Sequence, residues 1–347
     1  MPANNSLARW MRRLALAGAL LAFAVVVLGA YVRLSAAGLG CPDWPGCYGH
    51  LTPRAALAGA APGAVGAAAP DAGKAWREMT HRYAAGTLVL LIVAITALAL
   101  AARRQRLVNV PFALTLLAAV IVQAILGMLT VTWQLQPLIV TAHLVFGLTT
   151  LGMLWWLALS VPSSSWGATS LGGAGRSLLG GAAYIASAHH LALLGVVALA
   201  LQIALGGWTS SNYAAIACPD FPTCQGAWWP HRDFRDAFVL WHAANVDYEG
   251  GLLPTAARVA IHLTHRLGAV IATAALALAA VYTLRQRGLS HARLRAWAVL
   301  GALTLQLLIG VSMVLEGFPL WLATAHTAGA ALLLLAALAL VRASSAR

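Results

Sequence analysis

Glu78-Met79-Thr80-His81-Arg82 opens an apolar run that continues to Ala101 without another charged residue. A helix rises ~1.5 Å per residue, so about 20 residues cross a ~30 Å hydrocarbon core. The run therefore reads as a membrane span with a histidine close to one end. Ionisable side chains inside membrane spans are costly, which makes them functional candidates. The same words recur as Leu263-Thr264-His265-Arg266 at the head of a second apolar run. Two further histidines, His143 and His326, stand in Thr-Ala-His near the heads of two more runs. The pair separations are 62 residues (81 to 143) and 61 residues (265 to 326).

The rest of the chain agrees with this reading. Of 347 residues, 61% are hydrophobic and 9% charged, and the mean hydropathy is +0.80. These values belong to a polytopic membrane protein and exclude an ordinary soluble domain. Eight spans are predicted, at 14–34, 79–101, 110–132, 138–160, 187–209, 258–283, 294–315 and 319–341. The fold class is thus all-α, an eight-helix polytopic membrane protein. The first span follows a basic segment, as a signal peptide would. A similar helix recurs internally at 187–209, however, so the first is read as a retained span.

The formal charge of +13 has a topological cause and is no nucleic-acid signature. With the amino terminus in the cytoplasm, the cytoplasmic segments hold Arg9, Arg12, Arg13, Arg103, Arg104, Arg106, Arg176, Arg285, Arg287, Arg293, Arg295, Arg342 and Arg347, and no carboxylate. Every acid falls on the other side: Asp43, Asp71, Glu78, Asp220, Asp233, Asp236, Asp247, Glu249 and Glu316. Nine Lys and Arg accompany those nine acids, so the outer side sums to zero. The positive-inside rule then predicts cytoplasmic termini and outer cysteine loops.

The chain also reads as written twice. Gly40-Cys-Pro-Asp-Trp-Pro-Gly-Cys47 matches Ala217-Cys-Pro-Asp-Phe-Pro-Thr-Cys224, Gln123-Ala-Ile-Leu-Gly127 matches Gln306-Leu-Leu-Ile-Gly310, and the histidine motifs match in the same order. Each half holds an even number of spans, so both insert alike. That predicts two four-helix bundles related as a parallel repeat. The boundaries are 1–160 for the first half, 161–186 for a Ser/Gly-rich cytoplasmic linker and 187–347 for the second half. An Ala/Gly/Pro tract at 55–70 reads as mobile loop, and Asp233–Ala243 as a short interfacial helix.

The four cysteines lie in two Cys-Pro-Asp-aromatic-Pro-x-Cys loops. An oxidising outer compartment favours disulfides within each loop, Cys41–Cys47 and Cys218–Cys224. Zinc is the competing reading, against which the usual two-residue ligand spacing is absent.

All four histidines lie three to eight residues into their spans from the outer side. Within each half, two imidazoles at one level on facing helices suit axial haem coordination. Glycines follow the histidines at Gly86, Gly147, Gly268 and Gly329, serving either close helix packing or room for a flat macrocycle. Gln123, Gln202 and Gln306, each in Gln-x3-Gly, read as interhelical hydrogen-bond donors, and Val25 to Gly29 keeps the spacing in span 1. Arg82 and Arg266 are candidate contacts for haem propionates or snorkelling interfacial cations. Glu78 shares a helix face with His81, while His262 holds the matching place before His265. Glu78 is either a carboxylate favoured by the helix dipole or a proton acceptor beside a reacting group. Its occurrence in one half points to chemistry in the first half and electron transfer in the second. His262 reads as an alternative ligand or a hydrogen-bond partner. His50, His231, His242 and His291 are read as loop residues, and His189 and His190 as facing water or headgroups.

Together, Glu78-Met-Thr-His81-Arg, Thr-Ala-His143, Thr-His265-Arg, Thr-Ala-His326 and the two Cys-Pro-Asp loops resemble the haem A synthase family, over about residues 20 to 340. The resemblance implies oxidation of the C8 methyl of haem O to a formyl group. It implies a haem b (iron) on His265 and His326, and substrate or product haem on His81 and His143. Glu78 matches the family's acidic residue beside that site, and Cys41 and Cys47 its outer-loop pair; no role passes to His262. Haem O synthase as donor and cytochrome oxidase assembly factors are the implied partners, in a lipid bilayer, with a homo-oligomer left open. A bacterial inner membrane with periplasmic cysteine loops is the expected location. A dihaem membrane cytochrome, carrying electrons between quinol and an outer partner, explains the histidines equally well but not the single Glu78. A transporter with a parallel repeat leaves the matched histidine depth unexplained.

Overall fold

The structure, a computed structural model, describes residues 2–54, 71–105, 109–161, 178–241 and 246–345. Eight of its helices are long and apolar enough to cross a membrane: α1 (Pro2–Leu34), α2 (Ala72–Ala101), α3 (Val110–Thr132), α4 (Pro137–Ser160), α5 (Leu178–Ser211), α6 (Thr255–Arg285), α7 (Arg293–Leu315) and α8 (Leu320–Ser344). The protein is an all-α polytopic membrane protein. The tract at 55–70, most of the 161–186 linker, Arg106, Arg176, His242 and Arg347 lie outside the described residues. Helix α5 begins at Leu178, inside the span read as linker. The interfacial helix is a single turn, Phe234–Ala237, capped by the Asp233 carboxylate on Arg235 N at 2.8 Å.

Sequence chemistry sets the helix ends. Asn109 and Gln136 accept from Phe112 N and Ile139 N, each with a proline in the first turn, where a missing N–H costs nothing. Helix α2 starts seven residues before its apolar run. Asp71 caps it through Lys74 N at 3.0 Å, and the polar turn Ala72–Arg77 carries it outward beneath the first cysteine loop. The four odd-numbered helices finish alike at the cysteine-loop side, each with an N–H donated back to the carbonyl five residues earlier. These bonds are Ala37 to Val32 and Ala214 to Thr209 at 2.9 Å, Leu135 to Thr130 at 2.8 Å, and Phe318 to Met313 at 2.7 Å. The residue before each donor is left-handed (Ala36, Gln134, Tyr213 and Gly317). This is the Schellman ending, built here mostly without the glycine that usually marks it.

Neighbouring helices close two rings. In one, α1 packs on α2, α2 on α3, α3 on α4 and α4 on α1; the other joins α5, α6, α7 and α8 in the same order. Hence α2 lies diagonally across from α4, and α6 from α8. The rings meet along α1, α4, α5 and α8. Helix α1 buries Ala8, Met11, Ala15, Ala19 and Ala22 on one face; small side chains at this spacing let helices approach closely in lipid. Polar ties cross the seam: Trp155 Nε1 donates to Leu335 O at 3.0 Å, and the Thr141 and Ser211 hydroxyls lie 3.1 Å apart. Arg33 donates to Ser210 Oγ at 2.9 Å and Ser210 O at 2.7 Å, with its guanidinium 5.0 Å from the Tyr213 ring centre.

Candidate functional site

The histidines occupy equivalent places on the diagonal helices. His81 lies nine residues past the start of α2 and His265 ten past that of α6; His143 and His326 lie six past the starts of α4 and α8. The extra turn of α2 and α6 is the part beneath the cysteine loops, so each pair is brought towards a common level. His81 and His143 stand within electrostatic reach of one another, as do His265 and His326. All four rings are partly buried.

Opposite each ring, on the preceding helix, is a glycine. A Cβ added at Gly29 would lie 2.8 Å from His81 Nε2; at Gly127, 3.1 Å from His143 Cε1; at Gly206, 3.2 Å from His265 Cε1; at Gly310, 3.0 Å from His326 Cε1. These glycines of the x3-Gly motif create the space at the imidazoles. The glycines that follow the histidines do not meet the rings, and three of them serve close helix packing. Gly147, Gly268 and Gly329 give their space to Gln123, Gln202 and Gln306, and Gly86 meets nothing within 4 Å. The glutamines bridge helices, as their sequence pattern predicts. Gln202 Nε2 and Gln306 Nε2 donate to His265 O and His326 O at 3.0 Å.

Both disulfides form, with Cα–Cα distances of 4.8 Å (Cys41–Cys47) and 4.6 Å (Cys218–Cys224). The first rests on Ala75 and Met79 of α2, the second on Val259 and Leu263 of α6. The aspartate of each motif closes the turn after the second cysteine. Asp43 accepts from Tyr48 N (2.5 Å) and Gly49 N (2.8 Å), and Asp220 from Gln225 N (2.6 Å) and Gly226 N (3.0 Å). Tyr48, Gly49, Gln225 and Gly226 all have positive φ, which the aspartate bonds hold in place. The Thr223 hydroxyl, with the Gly226 and Gln225 N–H groups, holds the Asp220 carboxyl below its ordinary range. Arg82 and Arg266 are engaged by these loops. Arg82 donates to Asp43 O at 2.8 Å and to Gly46 O; Arg266 donates to Asp220 O and Thr223 O at 2.7 Å.

Glu78 is buried at 4% exposure. Its Oε2 accepts from Cys41 N at 2.7 Å, and its Oε1 pairs with Arg82. A carboxylate oxygen offers about two acceptor positions, so each retains capacity for a further proton. In the second ring the matching residue, His262, is also buried, with its ring edge on Phe318 at a centroid distance of 6.4 Å. The cysteine loop, Arg and His are therefore common to the two rings, and the carboxylate is confined to one.

This donor set suits haem iron. Each ring supplies two imidazoles across an apolar bundle, with glycine beside each, and the buried Nδ1 atoms of His143 and His326 have no hydrogen-bond partner among the described residues. Among the described residues no cluster of three or more His, Cys, Asp or Glu is present; a macrocycle that brings four nitrogens of its own needs only two more ligands. Residues 12–338 match the family model COX15-CtaA, cytochrome oxidase assembly protein. The chain belongs to that family. A haem A synthase of Shewanella oneidensis is 39% identical over 337 residues, covering 94% of this chain and 93% of that protein. One from Caulobacter sp. strain K31 is 28% identical over 343 residues, covering 91% and 90%. One from Methylobacterium sp. strain 4-46 is 36% identical over 147 residues, covering 41% and 37%. The COX15-CtaA match spans both rings and both cysteine loops.

Proposed function

We propose that this chain is a haem A synthase, an enzyme of haem biosynthesis that oxidises the C8 methyl of haem O to a formyl group. The observation that carries the reading is the asymmetry of two otherwise matched sites: a buried glutamate one turn from His81, tied to the cysteine loop, where the other site has His262. The relatives' shared name, one of them 39% identical over 94% of this chain, supports it. His81 and His143 would hold the substrate haem. His265 and His326 would hold a resident haem b, which supplies a one-electron relay when bound.

Going from methyl to formyl adds one oxygen atom; with water as its source, four electrons pass to an electron acceptor outside this chain and four protons are released. A hydroxymethyl group is oxidised further to a diol, which loses water to give the aldehyde. Glu78 would take protons from the substrate's edge. Arg82, Cys41 N and the loop hold its carboxylate against α2, and burial keeps bulk water from competing. Positive charge developing on the substrate carbon would be stabilised by the same carboxylate. By the charge pattern the termini face the cytoplasm of a bacterial inner membrane and the cysteine loops face the periplasm. A haem O synthase would supply the substrate, and cytochrome oxidase assembly would use the product.

The test is co-expression with a haem O source, followed by extraction and chromatographic separation of the haems. Haem A is expected. Two bound haems with haem O unconverted would favour the dihaem electron carrier instead.

A further inference from the structure

In three of the four helix pairs, a glutamine amide on the preceding helix reaches the histidine. Gln202 Nε2 donates to His265 O at 3.0 Å and stands 3.0 Å from His265 Nδ1 and 3.4 Å from its Nε2. Gln306 Nε2 donates to His326 O at 3.0 Å and stands 3.3 Å from His326 Nε2. Gln123 Nε2 stands 3.4 Å from His143 Nε2. In the first two, one N–H is fixed on the main chain, which seats the amide against the imidazole, so the ring turns only by displacing it.

The fourth pair differs. Val25 occupies the glutamine's place on α1, and valine has no donor to offer. Gly29 still clears the ring, but among the described residues no hydrogen bond reaches the imidazole of His81. The two rings therefore treat their histidines unequally: both are held in the second, one in the first.

We infer that Gln123, Gln202 and Gln306 are positioning residues that hold three imidazoles as fixed ligands, and that Val25 leaves His81 as the exchangeable one. This rests on the proposed function and gives it a direction. A resident cofactor needs both ligands held. A substrate haem has to enter and leave, and it does so by engaging and releasing His81 while His143 keeps it in register. The exchangeable ligand is also the one beside Glu78, so haem exchange and oxidation share one side of the site.

The experiment is capture of haem from the purified full-length protein by excess apomyoglobin, followed by absorbance. Two phases are expected, fast from the first ring and slow from the second. Q306L should speed the slow phase about fivefold, ~1 kcal/mol at 1.4 kcal/mol per decade, and leave the fast phase unchanged. V25Q should slow the fast phase by a similar factor, and V25L, which adds bulk without an amide, should not. Q202L and Q306L should also shift the low-spin ferric paramagnetic resonance signal, which reports the relative orientation of the imidazole planes. A folded V25Q with an unchanged fast phase, or a Q306L with an unchanged slow phase and signal, overturns the inference. Should V25Q lose its slow-phase haem and so prove misfolded, Q123V decides: it should speed the fast phase alone, and no change overturns the inference. Two haems leaving wild type in a single phase also overturn it, whereas a wild type carrying no haem refutes the proposed function instead.

Discussion

Gly310→Ala is the sharpest probe of the geometry at the histidines. The added Cβ would stand 3.0 Å from His326 Cε1, where ordinary van der Waals contact begins at 3.4 Å. The imidazole has to retreat by about 0.4 Å or tilt, away from the amide of Gln306 that stands 3.3 Å from its Nε2. Overpacking of this kind costs ~1–3 kcal/mol. Because the strain falls on a proposed ligand, affinity for the proposed haem b should drop roughly 5- to 140-fold at 1.4 kcal/mol per decade. The helix itself should gain, since Gly to Ala inside a helix is favourable by about 1 kcal/mol. Gly301→Ala is the internal control: it lies on the same helix, nothing stands within 4 Å of its added Cβ, and it collects the helix gain alone. Both variants are purified, haem is quantified per mole of protein by its reduced spectrum, and thermal unfolding is followed in parallel. The expected result is a G310A protein that is folded, no less helical than wild type and poor in haem b, beside a G301A protein with full haem. Equal haem content in the two would refute the claim that Gly310 clears space for a coordinating His326.

Three further outcomes follow from other contacts. Glu78→Gln keeps the size of the side chain and an oxygen for Cys41 N but removes the charge that faces Arg82. Bound haem should persist while haem A formation falls by a factor on the order of 10²–10⁴, the usual contribution of a general base; full conversion in extracted haem would remove Glu78 from the chemistry. Asp220 is held below its ordinary 3.8, first by the Thr223 hydroxyl and then by the Gly226 and Gln225 N–H groups. A lowered folded pKa stabilises above the unfolded value and is lost as pH falls through the folded one. Amide-exchange protection of Gln225 and Gly226 should therefore survive at 3.8 and disappear only at lower pH; loss at or above 3.8 would contradict the contacts. Arg33→Met removes two hydrogen bonds to Ser210 across the seam. Bonds to charged groups contribute ~1.5–3 kcal/mol each, offset by the cost of burying the cation, so a loss of about 2 kcal/mol in unfolding free energy is expected, with Ser210→Ala losing less because the carbonyl remains. An unchanged R33M unfolding curve would show the seam is held by packing alone.

The membrane helices were legible because each is a long apolar run; seven of the eight predicted spans sit inside the observed helices, and the eighth starts one residue early, at 319 against Leu320. Their outer starts were not, because the first turn of α2 is polar (Ala72-Gly-Lys-Ala-Trp-Arg77) and is held by a cap and a disulfide loop, neither of which hydropathy measures. The Schellman endings escaped for a similar reason: Ala36, Gln134 and Tyr213 take the left-handed position that glycine usually announces. The histidine pairs could be read from their recurrence alone. What Arg82 and Arg266 touch could not, since a guanidinium serves a propionate or a backbone carbonyl equally well, and only the folded loop presents Asp43 O and Asp220 O to them.

Two sets of glycines recur at helical spacing: of those after the histidines three pack on glutamines, and those in Gln-x3-Gly, with Gly29, face the imidazoles. A helix directs each side chain back towards its own N-terminal turn, so space for a ring is made by the neighbouring helix. That is where Gly29, Gly127, Gly206 and Gly310 stand. The recurrence of Gln-x3-Gly in α3, α5 and α7 was a signal for a site built between helices, and its single departure, Val25 in α1, falls in the helix pair that also carries Glu78. Two independent substitutions, one on each helix of the same pair, make that quarter of the protein unlike the other three. A purely structural role gives no reason for the two to fall together; the proposed reaction, confined to one ring edge, does.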